Sequence, residues 1–330
     1  MELPLLSVLF VTFALTLYVI LDGFDLGVGI LLLLQSEGKS RDHMVDSITP
    51  TWDGNETWLI MAAITLFAAF PVAYSILLPA FYVPVIIMLL ALGFRGVSFE
   101  FRIQSSKHRR KWDMVFAIGS LTAAFMQGLI LGGAMQGVEV RDLRFAGSVL
   151  DIFRPFPLLC GLALATGYIV LGAGWLVLKS NPPVQSFATR SLRVAAPLFA
   201  ALFGAACFYA VTIQPGIRSA WNSHPIVLAA LVALFTLAAG VLATLPKRTA
   251  PAVPFLLGRL QFVIAILGIV VIVLPNVVPF RVSIWDAASS DMSQKFVLIA
   301  AIFVVPVILG YSAFAYWIFR GRTPDEGWDK

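Results

Sequence analysis

The sequence predicts an all-α integral membrane protein, a single polytopic membrane domain over residues 1–330 with about nine transmembrane helices. Apolar residues make up 59% of the chain and charged residues only 12%, whereas about 25% of the residues of a soluble domain are charged. Apolar runs of about 20 residues recur along the chain, and this is the length that crosses ~30 Å of hydrocarbon as a helix. The runs lack the alternation of polar and apolar residues that is typical of barrel strands.

The nine apolar runs give the predicted spans. They cover residues 3–34, 58–78, 79–101, 114–135, 156–178, 194–213, 225–245, 254–274 and 296–319. The first run is too long for the core of a signal peptide, so we expect it to be retained as a span. Pro79 predicts the boundary between the second and third spans, where a tight turn is expected.

The distribution of basic residues predicts the orientation of the chain. With the N-terminus outside, 17 of the 23 Lys and Arg residues fall in inner segments and six in outer segments. Short cytoplasmic loops carry such an excess of Lys and Arg, so the N-terminus is predicted outside and the C-terminus in the cytoplasm. Because these residues are spread over short loops, the net charge of +5 does not indicate nucleic-acid binding.

Two carboxylates interrupt the first span. Asp22 and Asp25 lie three residues apart and therefore share one face of a helix. Such residues are costly in a membrane and are typical of functional sites. They either hold a neighbouring helix or face a wet cavity on a proton route, with Asp25 the preferred candidate. Gly27 and Gly29 follow and are interpreted as positions of close helix packing.

A second acidic segment, WDGNETW at 52–58, precedes the second span. Asp53 and Glu56 are spaced as in a capping box that opens a helix, and tryptophans such as Trp52 are common at the membrane interface. The segment is also compatible with function. The first span ends inside and the second begins inside, so Asp22, Asp25, Asp53 and Glu56 are expected to converge in a carboxylate relay that opens to the cytoplasm.

The chain offers few ligands for a metal or a haem. Cys160 and Cys207 lie in separate apolar runs, which argues against a disulfide framework or a thiolate site. His43, His108 and His224 lie outside the deep parts of the spans, where an axial haem ligand would be expected. We therefore predict that this chain itself holds no metal and no cofactor.

Four segments resemble subunit II of the cytochrome bd-type quinol oxidases. They are LDGFDLGVG at 21–29, WDGNETW at 52–58, FRGVSFEFR at 94–102 and WDAASS at 285–290. The resemblance runs from end to end, includes the last span, and is greatest to the shorter, cyanide-insensitive branch of the family.

This resemblance implies a heterodimer with a haem-bearing subunit I in a bacterial inner (cytoplasmic) membrane. Subunit I would hold two b haems and either haem d or a further haem b, and would oxidise quinol and reduce oxygen to water. The resemblance leaves open a small single-span accessory subunit and binding of lipids or quinone. It implies that Asp25, Asp53 and Trp52 contribute to a cytoplasmic proton route.

The same motifs contain further ionisable residues, and these are assigned to the route more weakly. They are Asp22, Glu56, Arg95 and Glu100. Two alternatives to the oxidase subunit remain at this stage: a proton-coupled secondary transporter, because intramembrane acids and glycine-interrupted helices are common there, and a structural membrane subunit whose acids only join helices.

Overall fold

The computed structural model describes residues 2–105, 107–246 and 249–324. Within these residues the chain is almost entirely helical. The helices are α1 (Glu2–Leu31), α2 (Gly38–Asp46), α3 (Trp52–Ala69), α4 (Pro71–Gln104), α5 (Arg109–Gln136), α6 (Pro155–Lys179), α7 (Val184–Ile213), α8 (Pro215–Ser223), α9 (Pro225–Ala243), α10 (Ala252–Val273) and α11 (Asp291–Ile318).

Short elements join some of these helices. Leu32–Leu34 and Val149–Phe153 form 3₁₀ turns, and two small antiparallel hairpins lie in the connections before α6 and α11. Their strands are β1 (Val140–Arg141) with β2 (Arg144–Phe145), and β3 (Asn276–Val278) with β4 (Val282–Ser283).

Eight of the described helices are long and apolar enough to cross a membrane, which confirms the predicted all-α membrane fold. They are α1 with its 3₁₀ extension, α4, α5, α6, α7, α9, α10 and α11. The remaining predicted span, at 58–78, is not one helix, because it covers the end of α3 and the start of α4. Helix α3 itself is 18 residues long and begins with the polar segment WDGNET. The orientation stays a prediction, and three inner-side basic residues, Lys247, Arg248 and Lys330, lie outside the described residues.

The predicted boundary at Pro79 is wrong. The chain turns at Phe70, whose backbone (φ −133°, ψ 63°) is not helical, and α4 begins at Pro71. Proline suits the first helical position, because its missing N–H would have no partner there. Pro79 and Pro84 instead lie inside α4, where only Phe81 departs from helical geometry (φ −116°, ψ 16°).

Several helices begin earlier than the apolar runs predict. α7 starts at Val184 instead of 194, α5 at Arg109 instead of 114, and α11 at Asp291 instead of 296. In each case polar residues continue the helix beyond its apolar part. Hydropathy marks the stretch that suits hydrocarbon, whereas backbone hydrogen bonding extends further.

Helices α1 and α6 touch through their backbones. A Cβ atom added to Gly27 would lie 1.8 Å from the carbonyl oxygen of Tyr168, and one added to Gly172 would lie 2.4 Å from the carbonyl carbon of Gly27. A Cβ atom on Gly29 would lie 2.1 Å from Ser120 Oγ on α5. The interpretation of Gly27 and Gly29 as packing positions is therefore confirmed.

The inner half of α1 is the centre of the molecule. Every residue from Asp22 to Leu31 is buried, and Phe24 stacks on Trp175 with ring centroids 4.3 Å apart. Helix α11 is the opposite case, since only 6% of its most apolar stretch is buried. The buried part of α1 carries both carboxylates of the first predicted cluster.

Candidate functional site

An ion pair joins α1 to α4 in the core. Arg95 Nη1 and Nη2 donate to the two carboxylate oxygens of Asp22 at 3.0 and 2.7 Å, and both side chains have 0% exposure. This bidentate geometry is the strongest form of an arginine–carboxylate contact. An uncompensated charge in such a place would be very costly, so each partner requires the other.

Asp25 lies one turn further along α1 and is also completely buried. Its Oδ2 accepts a hydrogen bond from Asn55 Nδ2 at 2.7 Å and lies 4.0 Å from Arg95 Nη2. Its Oδ1 has no hydrogen-bond partner among the described residues. Asn55 in turn accepts a hydrogen bond from the hydroxyl of Tyr316 on α11 at 2.9 Å, so one array joins α1, α3 and α11.

Tyr316 borders a small cavity of about 10 Å³. Ser47, Thr51 and Lys179 contribute polar groups to its wall. Lys179 Nζ also donates to the carbonyl oxygen of Phe319 at 2.5 Å. A cavity of this volume is at the lower limit for one water molecule, and such waters need polar partners, which this wall supplies.

A second hydrogen-bonded group begins one turn before Asp22. Gln127 Nε2 donates to the hydroxyl of Tyr18 at 2.7 Å, and the hydroxyl of Tyr168 donates to Gln127 Oε1 at 2.7 Å. Tyr18 and Asp22 lie four residues apart in α1 and therefore share one face of that helix. The polar interior therefore extends from the cavity to the middle of α5 and α6.

The acidic segment at 52–58 separates into buried and exposed residues. Trp52 stacks on Phe99 at 4.7 Å, and its ring lies 5.7 Å from the guanidinium carbon of Arg95. Glu56 is half-buried and interacts electrostatically with Arg95 and Asp22. Asp53 is exposed on α3 and forms no side-chain hydrogen bond or ion pair with any described residue.

The capping-box interpretation of this segment is wrong. Helix α3 begins at Trp52 with Thr51 as its N-cap, and the Thr51 side chain makes no capping hydrogen bond. Asp53 and Glu56 therefore lie inside the helix. Glu56 interacts with both Asp22 and the exposed Asp53, and the relay that was expected to join Asp22, Asp25, Asp53 and Glu56 stays a prediction.

A network of ion pairs, which the sequence analysis missed, joins the ends of α2, α4 and α5. Arg102 Nε lies 2.6 Å from Asp113 Oδ1, Arg41 Nε lies 3.1 Å from Asp113 Oδ2, and Asp42 contacts both Arg102 and Arg109. Arg102 and Asp113 are buried. The spacing in the sequence does indicate a role for Arg102, because it follows Arg95 by seven residues and so lies on the same face of α4.

Comparison with known proteins decides the family. The cytochrome bd terminal oxidase subunit II family matches residues 3–319. The chain belongs to this family. It is 31% identical to the Escherichia coli K12 protein named cytochrome bd-I ubiquinol oxidase subunit 2, over 98% of this chain and 94% of that protein.

Other relatives agree. The Bacillus subtilis protein named cytochrome bd ubiquinol oxidase subunit 2 is 28% identical over 97% of this chain and 95% of its own length. Among solved structures, a chain of the bd oxidase from Geobacillus thermodenitrificans superposes with a TM-score of 0.79. It is 18% identical, and the match covers 97% of this chain and 99% of that one. The bd-type fold is thus shared at low identity.

As subunit II of a bd-type oxidase, the chain is part of an oxidoreductase complex and a multi-pass membrane protein. This membership favours the oxidase subunit over the proton-coupled transporter. The described residues contain no group of three or more His, Cys, Asp or Glu that could hold a metal ion. His43 lies in α2, and His108 and His224 lie between helices, so the chain offers a haem no histidine within a spanning helix.

Proposed function

We propose that this subunit II stabilises the haem-bearing subunit I and carries part of a proton uptake route that serves the reduction of oxygen to water. The observation that carries the proposal is Asp25. It is a fully buried carboxylate with one oxygen free of partners among the described residues, in an array that ends at a polar cavity. Buried carboxylates in spanning helices are typical of proton relays.

Asp25 is the carboxylate suited to carry a proton. Both oxygens of Asp22 are engaged by Arg95, so protonating Asp22 would break an ion pair. Oδ1 of Asp25 can take up and release a proton while Oδ2 keeps its hydrogen bond to Asn55. In this proposal Asp22 and Arg95 are positioning residues that fix the charge beside Asp25.

Protons would approach Asp25 from the cavity beside Tyr316. Its wall of hydroxyl and amino groups suits one ordered water molecule. Asn55 holds Asp25 and Tyr316 in place through a hydrogen bond to each. Because its amide is neither an acid nor a base at neutral pH, the proton would pass from the cavity to Oδ1 of Asp25 through water and not through Asn55. The inner side of the molecule is assigned to the cytoplasm by the excess of basic residues in its loops.

Asp53 is proposed to connect this route with subunit I. It lies on the exposed side of α3, and α3 packs beside the largely uncovered α11, where Gly54 approaches Tyr311. Glu56 interacts electrostatically with Asp53 and with both members of the Asp22–Arg95 pair, so it links Asp53 to the buried charges. Trp52 holds Arg95 from the other side through its ring.

Subunit I is proposed to carry all the redox groups, namely two b haems and either haem d or a further haem b, and to use quinol as the electron donor. This chain would supply protons and support without a cofactor of its own. We further propose the bacterial inner membrane as its location, with the N-terminus outside. The proposed complex also has room for a small single-span accessory subunit beside subunits I and II.

The test is the purified two-subunit oxidase with Asp25→Asn, measured as quinol-dependent oxygen uptake together with its reduced-minus-oxidised haem spectrum. Asparagine keeps the size and the hydrogen-bonding shape of the side chain but cannot carry a proton. We expect oxygen uptake to fall by about a hundredfold, the lower range for loss of a proton-transfer group, with haem content retained. Asp53→Asn should lower the uptake less, because Glu56 remains as a second carboxylate that interacts with this position.

The matched control is Asp142→Asn in the hairpin before α6. Asp142 has a positive φ of 49°, which asparagine also tolerates, so we expect normal turnover. Normal turnover in Asp25→Asn would remove it from the proton route. Loss of haem from that variant would instead indicate that the carboxylates act only in assembly.

A further inference from the structure

A groove of about 190 Å³ lies where the inner end of α1 meets the start of α5. Leu33, Leu34 and Met114 form apolar walls, and all three side chains are exposed. The polar and charged groups of the same groove come from Gln35, Ser36, Arg41, Arg110 and Asp113. Because α1 and α5 both have the length and apolarity of spanning helices, we expect the groove between their ends to lie near the boundary of hydrocarbon and headgroups.

The charges of the groove are unequally satisfied. Arg41 is held by Asp113 at 3.1 Å and donates to the carbonyl oxygens of Gln35 and Ser36, both at 3.2 Å. Arg110 is exposed, and its guanidinium pairs with no described residue. The Asp113 carboxylate in the groove wall is thus balanced by Arg41 and Arg102, and the Arg110 guanidinium is left as the free charge of the groove.

We propose that this groove binds the anionic headgroup of a phospholipid, with the glycerol and the upper acyl chain against the leucines. Basic pockets between membrane helices bind anionic lipid headgroups. A guanidinium matches a phosphate through two parallel hydrogen bonds, and Arg110 is available for this contact. The three exposed apolar side chains beside it match the chain of a lipid and have no equivalent use for a free anion.

The site is independent of the proposed proton route. Arg110 takes no part in the array around Asp25, and it lies in the first turn of α5, whereas Arg41 also belongs to the ion-pair network with Asp113. The clean variant is therefore Arg110→Gln, which removes a charge from an exposed position and leaves that network intact.

The experiment uses the purified oxidase complex, delipidated and then titrated with phosphatidylglycerol or phosphatidylcholine while retained lipid is counted by native mass spectrometry. The matched control is Lys111→Gln, an equal loss of charge from the next residue, which is exposed and does not line the groove. Successive residues point about 100° apart around a helix. Competition with inorganic phosphate separates a lipid site from a site for a free anion.

We expect one phosphatidylglycerol to be retained in preference to phosphatidylcholine by the parent complex and by Lys111→Gln. Arg110→Gln should weaken this binding about fivefold, the contribution of one basic residue near a membrane surface. Equal retention of the two lipids by the parent complex would overturn the proposal. Equal weakening in both variants, or displacement of the lipid by phosphate, would overturn it as well.

Discussion

Alanine at Gly27 should separate the two central helices. Its Cβ atom would lie 1.8 Å from the Tyr168 carbonyl oxygen and 2.8 Å from the Gly172 nitrogen, whereas ordinary contacts begin at 3.4 Å. One helix must therefore move by about 1.6 Å, because the obstacle is backbone and cannot rotate away. Overpacking of this kind costs about 1–3 kcal/mol and occasionally more, and we expect the upper end.

A loss of about 3 kcal/mol corresponds to a fall in Tm of at most about 6–12 °C, because that range applies to domains of 150–250 residues and the shift is smaller for a longer chain. The assay is the fraction of intact, haem-containing complex that survives heating, measured by size-exclusion chromatography. The controls are Gly204→Ala in α7 and Gly240→Ala in α9, where an added Cβ atom meets nothing within 4 Å. Alanine favours a helix over glycine by about 0.5–1 kcal/mol, so both controls should be as stable as the parent protein or more stable.

Gly27→Ala should therefore lower the thermal stability, whereas the two control variants should leave it unchanged or raise it. If Gly27→Ala survives heating as well as Gly204→Ala, the helices do not touch in the manner described. Because Gly27 lies two residues after Asp25, we also expect the displaced helix to lower oxygen uptake in the complex that remains.

Three further predictions concern the buried polar groups. Arg95→Met should destabilise the complex by about 3–5 kcal/mol, because it leaves Asp22 buried without its partner. Adding Asp22→Leu should recover at least about 2 kcal/mol of this stability. A double variant that is no more stable than Arg95→Met in thermal unfolding would contradict the pairing. Tyr316→Phe should lower quinol-dependent oxygen uptake several-fold without changing the haem spectrum, because it removes the hydroxyl beside the cavity, and unchanged uptake would exclude that path. Arg102→Gln should lower the free energy of unfolding by about 3–5 kcal/mol, because it removes one partner of a buried ion pair. Arg109→Gln should lower it by less than about 1 kcal/mol, since the Arg109 and Asp42 side chains are 46% and 35% exposed. Equal losses of thermal stability in the two variants would refute this difference.

Hydropathy predicts the spans well, since crossing hydrocarbon requires long apolar helices. It fails where a helix continues through residues that appear to end it. Pro79 predicts a turn by the usual rule for soluble helices, yet proline is tolerated within membrane helices when the surroundings accommodate the lost hydrogen bond. The start of α7 was missed for the converse reason, because its first residues are polar and extend beyond the apolar run.

The candidate site was only half predictable. Asp22 and Asp25 stand out because charge is rare in an apolar run, and the same rule gives Arg95. Their partners could not be found in this way. Asn55 is an uncharged residue between two more conspicuous acids, and the hydroxyl that it accepts from belongs to Tyr316, 261 residues later. The exposure of Asp53 could not be predicted, because its rotation around α3 depends on where that helix begins.

Helix α11 is held by side-chain hydrogen bonds near both of its ends. Ser7 Oγ donates to Gln294 Oε1 at 3.0 Å near one end, and the Lys179 side chain holds the carbonyl oxygen of Phe319 at the other. Its broad apolar flank is thus already aligned before anything covers it. Binding of another protein to this apolar face of α11 would require little ordering of the helix. The affinity would therefore depend on the fit between the two surfaces rather than on rearrangement.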